Sequence, residues 1–170
     1  MIVKGRVHRF GDDIDTDAII SSRNKAKFLE IADLARHAFE DIDPGFPGRF
    51  SPGDIIVAGR NFGCGSSREA APRVLQALGA GAVVAESFAR IFFRNAINIG
   101  LPALPCDTRR FADGDTLEID LSAGRATDLT NGATADAEPL PPVMLNIVAD
   151  GGLAAHLRRH GRYVLERQDG

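Results

Sequence analysis

Between residues 54 and 104 the chain passes twice from a short, wholly apolar run to a helical stretch and back, and few folds accept that order. The runs are Ile55-Ile56-Val57-Ala58, Ala82-Val83-Val84-Ala85 and Leu101-Pro102-Ala103-Leu104. Each is too short for a helix, and unbroken apolar character implies a strand covered on both faces. Between the first two runs, Ala70, Val74, Leu75 and Leu78 share one helical face. Pro72 falls in the first turn, where a missing N–H costs nothing, and Gly79 lies past the end. Ser87 stands where it can cap a second helix, from Phe88 to about Ile97, with the last strand after Gly100. Strand, helix, strand, helix, strand predicts crossovers on a parallel sheet and therefore an α/β fold.

The flanks are less regular. Val3, Gly5, Val7 and Arg9 alternate imperfectly with Lys4, Arg6, His8 and Phe10, which predicts an opening strand at a sheet edge. After the Gly11-Asp12-Asp13 turn, Asp13, Asp15 and Asp17 place three carboxylates within five residues. Turn and cap chemistry accounts for Asp12 and Asp13. A calcium loop is excluded because its Gly and distal Glu are missing, and Asp17 stays open. Residues 21–27 are polar and basic without a period and read as an exposed loop. Ile31, Leu34, Ala35, Ala38 and Phe39 form one face of a helix that Asp43-Pro44-Gly45 ends, with His37 off that face. Strict alternation from Thr116 to Leu121, a turn at Ala123-Gly124 and a return over 125–129 predict a C-terminal hairpin packed on the earlier layers. Helices are expected from Pro142 through Ile147 and over 153–159, where Arg158-Arg159-His160-Gly161-Arg162 reads as a solvated helix end.

A chain of 170 residues, 44% hydrophobic and 25% charged, can build a sizeable core and predicts one domain over residues 1–170. Its net charge of −3 offers nucleic acid and membrane surfaces no general attraction. No apolar run approaches a membrane span, and Met1-Ile2-Val3-Lys4 starts no signal peptide, so a cytoplasmic location is expected. Cys64 and Cys106 are then free thiols, too few to hold an iron–sulfur cluster or a structural zinc unaided.

Polar chemistry concentrates in Gly59-Arg60-Asn61-Phe62-Gly63-Cys64-Gly65-Ser66-Ser67-Arg68-Glu69, between the first run and the first helix. A glycine-rich turn there aims backbone N–H groups and the positive end of a helix dipole at one spot, which attracts anions. The phosphate-loop spacing and the lipase elbow are both absent. A Cys64 nucleophile lacks a base, since His8, His37, His156 and His160 all read as surface residues. Three readings stay open on the residues alone. A serine Oγ among N–H donors and beside Arg68 gains alkoxide character and takes a proton from carbon next to a carboxylate that Arg68 grips. Alternatively Ser66 or Ser67 merely caps the helix while Arg68 and Glu69 pair on the surface. A third reading is an anion- or phosphate-binding module without chemistry of its own.

Five blocks in order carry a family likeness: residues 11–20, 52–59, 61–69, 87–92 and 94–102. In them stand Gly11-Asp12-Asp13-Ile14-Asp15-Thr16-Asp17, Asn61-Phe62-Gly63-Cys64-Gly65-Ser66-Ser67-Arg68-Glu69 and Arg94-Asn95-Ala96-Ile97-Asn98-Ile99-Gly100-Leu101-Pro102. Together they resemble the small subunit of 3-isopropylmalate dehydratase, the swivelling domain of the aconitase superfamily as a separate chain. The resemblance implies a β/β/α swivel domain, with a mostly parallel central sheet, flanking helices and the C-terminal hairpin. It further implies a hydro-lyase of leucine biosynthesis that interconverts 3- and 2-isopropylmalate. The partner would be a large subunit carrying a [4Fe–4S] cluster, and the substrate a small di- or tricarboxylate, with self-association of the isolated chain left open. By position, Ser66 resembles the family's serine base, Arg68 its carboxylate-binding arginine and Asp17 an acidic active-site residue, with Gly65 and Ser67 completing the substrate-binding turn. Two departures stand out: residues 19–29 lack the common Ile-Ile-Pro and Tyr-Leu, and Ala70 replaces a common histidine. The first leaves homoaconitate, dimethylmalate and methylated citrate analogues as alternative substrates, with Arg23, Lys25 and Lys27 as candidate contacts to a second carboxylate.

Overall fold

A computed structural model of the chain describes residues 1–166, so the last four residues of the 1–170 span lie outside the described residues. In chain order its elements are β1 (Ile2–Arg9), α1 (Thr16–Ile19), α2 (Ser22–Lys27), α3 (Ile31–Ala35), α4 (Phe46–Arg49), β2 (Ile55–Ala58), α5 (Ala70–Leu78), β3 (Ala82–Ala85), α6 (Arg90–Ile99) and β4 (Ala103–Pro105). There follow β5 (Thr116–Asp120), β6 (Arg125–Asp128), β7 (Thr134–Asp136), α7 (Pro142–Ala149) and α8 (Leu153–His160). The strands form one sheet in the order β4-β3-β2-β1-β5-β6-β7. The strands β4, β3, β2 and β1 run parallel, so the predicted crossovers are β2-α5-β3 and β3-α6-β4. Across β1 the sheet continues antiparallel: β5 and β6 are the expected hairpin, and β7 extends it.

Burial explains the two sequence textures. Every residue of β2 and β3 is buried, because the parallel half is covered on both faces. In β5 only Leu117 and Ile119 are buried, so the strand alternates. The helix α5 packs on α3 and α6, and α6 on α7 and α8. Among the described residues, no helix is long and apolar enough to cross a membrane.

Several expectations are corrected. The strand β1 lies inside the sheet, with Val7, His8 and Arg9 facing β2 and Ile2 to Arg6 facing β5. Its imperfect alternation reflects that division: Val7 and His8 are consecutive and both buried. Residues 21–27 are not a loop. Ser21 caps α2 by accepting the Asn24 N–H, and the buried Asn24 amide donates to Glu40 at 2.6 Å, so polar contacts replace an apolar stripe. The helix through residues 31–39 stops at Ala35, because Phe39 takes φ +57° and turns its ring onto Phe10 and Phe46. Leu34, Ala35, Ala38 and Phe39 are buried and Ile31 is partly buried, as their periodicity requires, but Ala38 and Phe39 lie outside the helix.

Ser87 does not cap α6, which begins at Arg90; its Oγ accepts the Asn61 N–H at 2.8 Å. Two of the four histidines are interior. His8 lies between Phe46 and Phe50 and meets Asp54 at 2.8 Å. His156 is wholly buried, its Nδ1 2.7 Å from Asp150, and its Nε2 accepts the Val164 N–H at 3.1 Å. A backbone N–H can only donate, so the neutral ring's proton sits on Nδ1 and points at Asp150.

Candidate active site

The glycine turn leaves the carboxyl end of β2 and is held from both sides. On one side Gly63 N–H donates to Ile14, Thr16 N–H to Cys64, and Thr16 Oγ1 to the Ser66 carbonyl, at 2.7, 2.9 and 2.9 Å. Beyond it, Phe62 N–H donates to Ser87 and Ala89 N–H to Phe62, which ties the turn to the segment leaving β3. Asp12 accepts Arg60 through both backbone and side chain, and Asn61 donates to Asp13. Gly63 has φ +78°, and a Cβ there would overlap the Phe92 ring, so only glycine fits. The polar segment is therefore threaded between two neighbours like an irregular extra strand.

Ser66 and Ser67 are exposed, and neither hydroxyl has a hydrogen-bond partner among the described residues. The cap reading fails: α5 is preceded by Glu69 with no side-chain cap bond, and Glu69 pairs with Arg73 at 2.7 Å. The expected bath of N–H donors around the serine is also not found, as no backbone N–H bonds to either Oγ. Instead the N–H groups of Gly65, Ser66, Ser67 and Arg68 have no acceptor among the described residues, which leaves them available to an anion. Arg68 is mostly covered, and its Nη1 donates to Asp17 at 2.5 Å. Asp17 also accepts the Ser22 Oγ–H and N–H, both at 2.9 Å. The Ser22 hydroxyl, then Arg68, then the Ser22 N–H hold its carboxyl below the usual carboxylate range. Asp15 takes the cap role, accepting the Ala18 N–H at the start of α1.

A cleft of about 300 Å³ opens here, lined on one side by Thr16, Gly65, Ser66, Ser67 and Arg68 and on the other by Ala89, Arg90, Ile91, Phe92 and Asn95. The second wall is what sequence reasoning missed. Its signal was topological: the segments leaving adjacent parallel strands at their carboxyl ends border a common crevice. Of the predicted residues, Ser66, Ser67, Gly65, Arg68 and Asp17 come together. Arg23 and Lys27 do not join them: Arg23 is paired with Asp41 at 2.8 Å, and Lys27 lies over the Phe28 ring. A larger depression of about 470 Å³ at Asp12, Arg60, Glu86, Cys106, Asp107 and Arg109 is a poorer candidate, because both arginines are spent on Asp12 and Asp107.

Thiol chemistry is not built in. Burial first, then the Asp15 and Asp13 carboxylates, push the Cys64 thiol up, the reverse of what a thiolate nucleophile requires. Burial pushes Cys106 to about 12.

Comparison with known proteins now decides the class. The family model for the aconitase C-terminal domain matches residues 30–109. The small subunit 2 of 3-isopropylmalate dehydratase from Archaeoglobus fulgidus is 50% identical, over 95% of this chain and 98% of its own length. The chain belongs to the 3-isopropylmalate dehydratase small-subunit family. Another member, the isopropylmalate/citramalate isomerase small subunit of Methanocaldococcus jannaschii, is 46% identical over 93% of this chain and 95% of its own. The crystal structure of 3-isopropylmalate dehydratase from that organism superposes with a TM-score of 0.89 at 45% identity, covering 95% of this chain and 96% of the other. The fold is thus the aconitase-type swivel class, and the family resemblance extends into the C-terminal third, where the sequence blocks had ended.

Proposed function

We propose that the chain is the small subunit of a hydro-lyase that interconverts 3- and 2-isopropylmalate in leucine biosynthesis, working with a large subunit in the cytoplasm. In this reading residues 1–170 form one swivel domain. The observation that carries it is the grouping of an unbonded Ser66 hydroxyl, the covered Arg68 and a row of free N–H groups on one wall of one cleft. That combination suits a carboxylate next to a carbon that must lose a proton. The family names support the partner, since the relatives are themselves called small subunits.

Among the described residues, the two cysteines are a half-buried and a buried thiol, both pushed toward the protonated form, and they do not make a cluster site. In this reading a [4Fe–4S] cluster is carried by the large subunit, where it would supply Lewis acidity to the substrate hydroxyl. This chain contributes the rest. Arg68, aimed by Asp17, takes a substrate carboxylate, and the N–H groups of Gly65 to Arg68 favour negative charge beside it. Ser66 Oγ takes the C–H proton and returns it in the hydration direction. Because no donor among the described residues bonds that Oγ, this reading assigns its activation to the closed assembly.

Mixed anaerobically with its large subunit, the chain is expected to hydrate the unsaturated dicarboxylate. Ser66→Ala should reduce turnover at least about 100-fold while co-elution of the subunits is unchanged. Full activity in that variant removes the serine-base role. Failure of the chain to associate with any cluster-bearing subunit favours an anion-binding module instead.

A further inference from the structure

Beside the cleft, three donors converge on one oxygen. Asp17 Oδ1 accepts Arg68 Nη1 at 2.5 Å and both the hydroxyl and the N–H of Ser22 at 2.9 Å. Arg68 spends one N–H on this contact and meets no other side-chain acceptor among the described residues, so the rest of its fork is left for a ligand. Asp17 has little else to steady it. It stands on α1, a helix of 4 residues, with its side chain 54% exposed, and a single helical turn is not stable unaided. Asp15 already caps α1 and Ser21 already caps α2, so neither helix needs the Ser22 hydroxyl as its cap.

Ser22 is placed in turn by α2, whose seat is polar. Asn24 is buried and donates to Glu40 Oε1 at 2.6 Å, and the other Glu40 oxygen meets His37 Nδ1 at 2.5 Å. Asn24 first, then His37, hold the Glu40 carboxyl below the usual carboxylate range, which keeps it an acceptor. At the end of α2 the Phe28 ring stacks on His37 with centroids 4.6 Å apart. Contacts therefore run without a break from Glu40 through Asn24 and Ser22 to Asp17 and Arg68. We infer that Ser22 is a positioning residue for Arg68, acting through Asp17, and that the Asn24–Glu40 contact fixes where Ser22 stands. Its effect on turnover rests on the hydro-lyase reading of the site; its effect on Asp17 does not.

The test reads variants kinetically in the complex with the large subunit and by NMR titration in the chain alone. Ser22→Ala removes the hydroxyl and keeps the N–H, whereas Ser22→Thr keeps both. Ser22→Ala is expected to raise KM for the dicarboxylate about fivefold with kcat within about twofold of the parent. In the chain alone it should move the Asp17 midpoint up, and Ser22→Thr should restore both readouts. Asn24→Ala should raise KM similarly, yet add less than about twofold on the Ser22→Ala background, because residues acting in one chain of contacts are not additive. Glu40→Gln weakens the same bond without removing bulk and repeats the comparison if Asn24→Ala does not fold. An unmoved KM or Asp17 midpoint in Ser22→Ala, a fall in kcat as large as the rise in KM, or a threonine no better than alanine overturns the positioning role. Full additivity of the double variant overturns the part given to Asn24 and Glu40. A wild-type complex inactive on the dicarboxylate removes the hydro-lyase reading instead, and the Asp17 midpoint still decides whether Ser22 sets that side chain.

Discussion

Arg68 reaches Asp17 across 51 residues of sequence through one 2.5 Å bond, and neither side chain makes a site without the other. For the proposed carboxylate contact, a guanidinium fixed in advance avoids ordering a long side chain during binding. Asp17 has its pKa depressed by the Ser22 hydroxyl first and Arg68 second. The linkage sign follows: the pairing is complete above the carboxylate's unfolded pKa and is lost as pH falls through the lower folded value. An NMR titration should therefore place the Asp17 midpoint below those of unpaired exposed aspartates, and a midpoint at or above theirs would remove the pairing. Asp17→Asn should leave the fold intact and raise KM about tenfold, the worth of one charge-assisted hydrogen bond. In the sequence, Asp17 was one of several neighbouring carboxylates, and nothing in their spacing told the partner of Arg68 from Asp12 and Asp15, which tie the turn and cap α1. Ser66 was more legible, because glycine punctuation marks a turn wherever it occurs.

The turn's position between two other segments is a property of elements. Its backbone bonds run to residues 14–16 on one side and 87–89 on the other, and α6 presses Phe92 against Gly63. Gly63→Ala should cost about 2 kcal/mol or more by chemical denaturation, since it adds left-handed strain to an overlap with a packed ring. A loss under about 0.5 kcal/mol would show that the turn can move, and that its geometry is not imposed by α6. The parallel strands and α5 were readable because burial writes period and continuity directly into sequence. The short helices α2 and α3 were not, as helices of six and five residues are too short for propensity to decide. The polar partners Ser21, Asn24 and Glu40 and the turn at Phe39 set their limits.

At the scale of the whole molecule, β1 joins a parallel half that carries the cleft to an antiparallel half that does not. The α7–α8 layer is locked by Asp150, which meets His156, His160 and Arg159. Burial opposes ionisation of Asp150, but the hydrogen bonds from His156 and His160 and the charge of Arg159 outweigh it and leave its pKa lowered. His156 also receives the Val164 N–H, and the Asn146 amide donates to the Val164 and Glu166 carbonyls, so the end of the described chain is tied back to α7. His156→Phe keeps the bulk but leaves a donor unpaired and a carboxylate under-solvated. Denaturation should show a loss of about 2 kcal/mol with little change in kcat/KM, the cleft lying elsewhere. An equal fall in activity would instead couple this layer to the site. Sequence by itself determined the crossovers, the hairpin, the glycine turn and the polar residues placed on it, since each rests on local periodicity or on conformations open only to glycine. Tertiary structure alone decided that β1 is interior, that His8 and His156 are core, that Asp17 holds Arg68, and that α6 closes the cleft with Ile91. Those are contacts between segments far apart in the chain, and their partners are chosen by packing and hydrogen-bond satisfaction, which leave no period in the sequence.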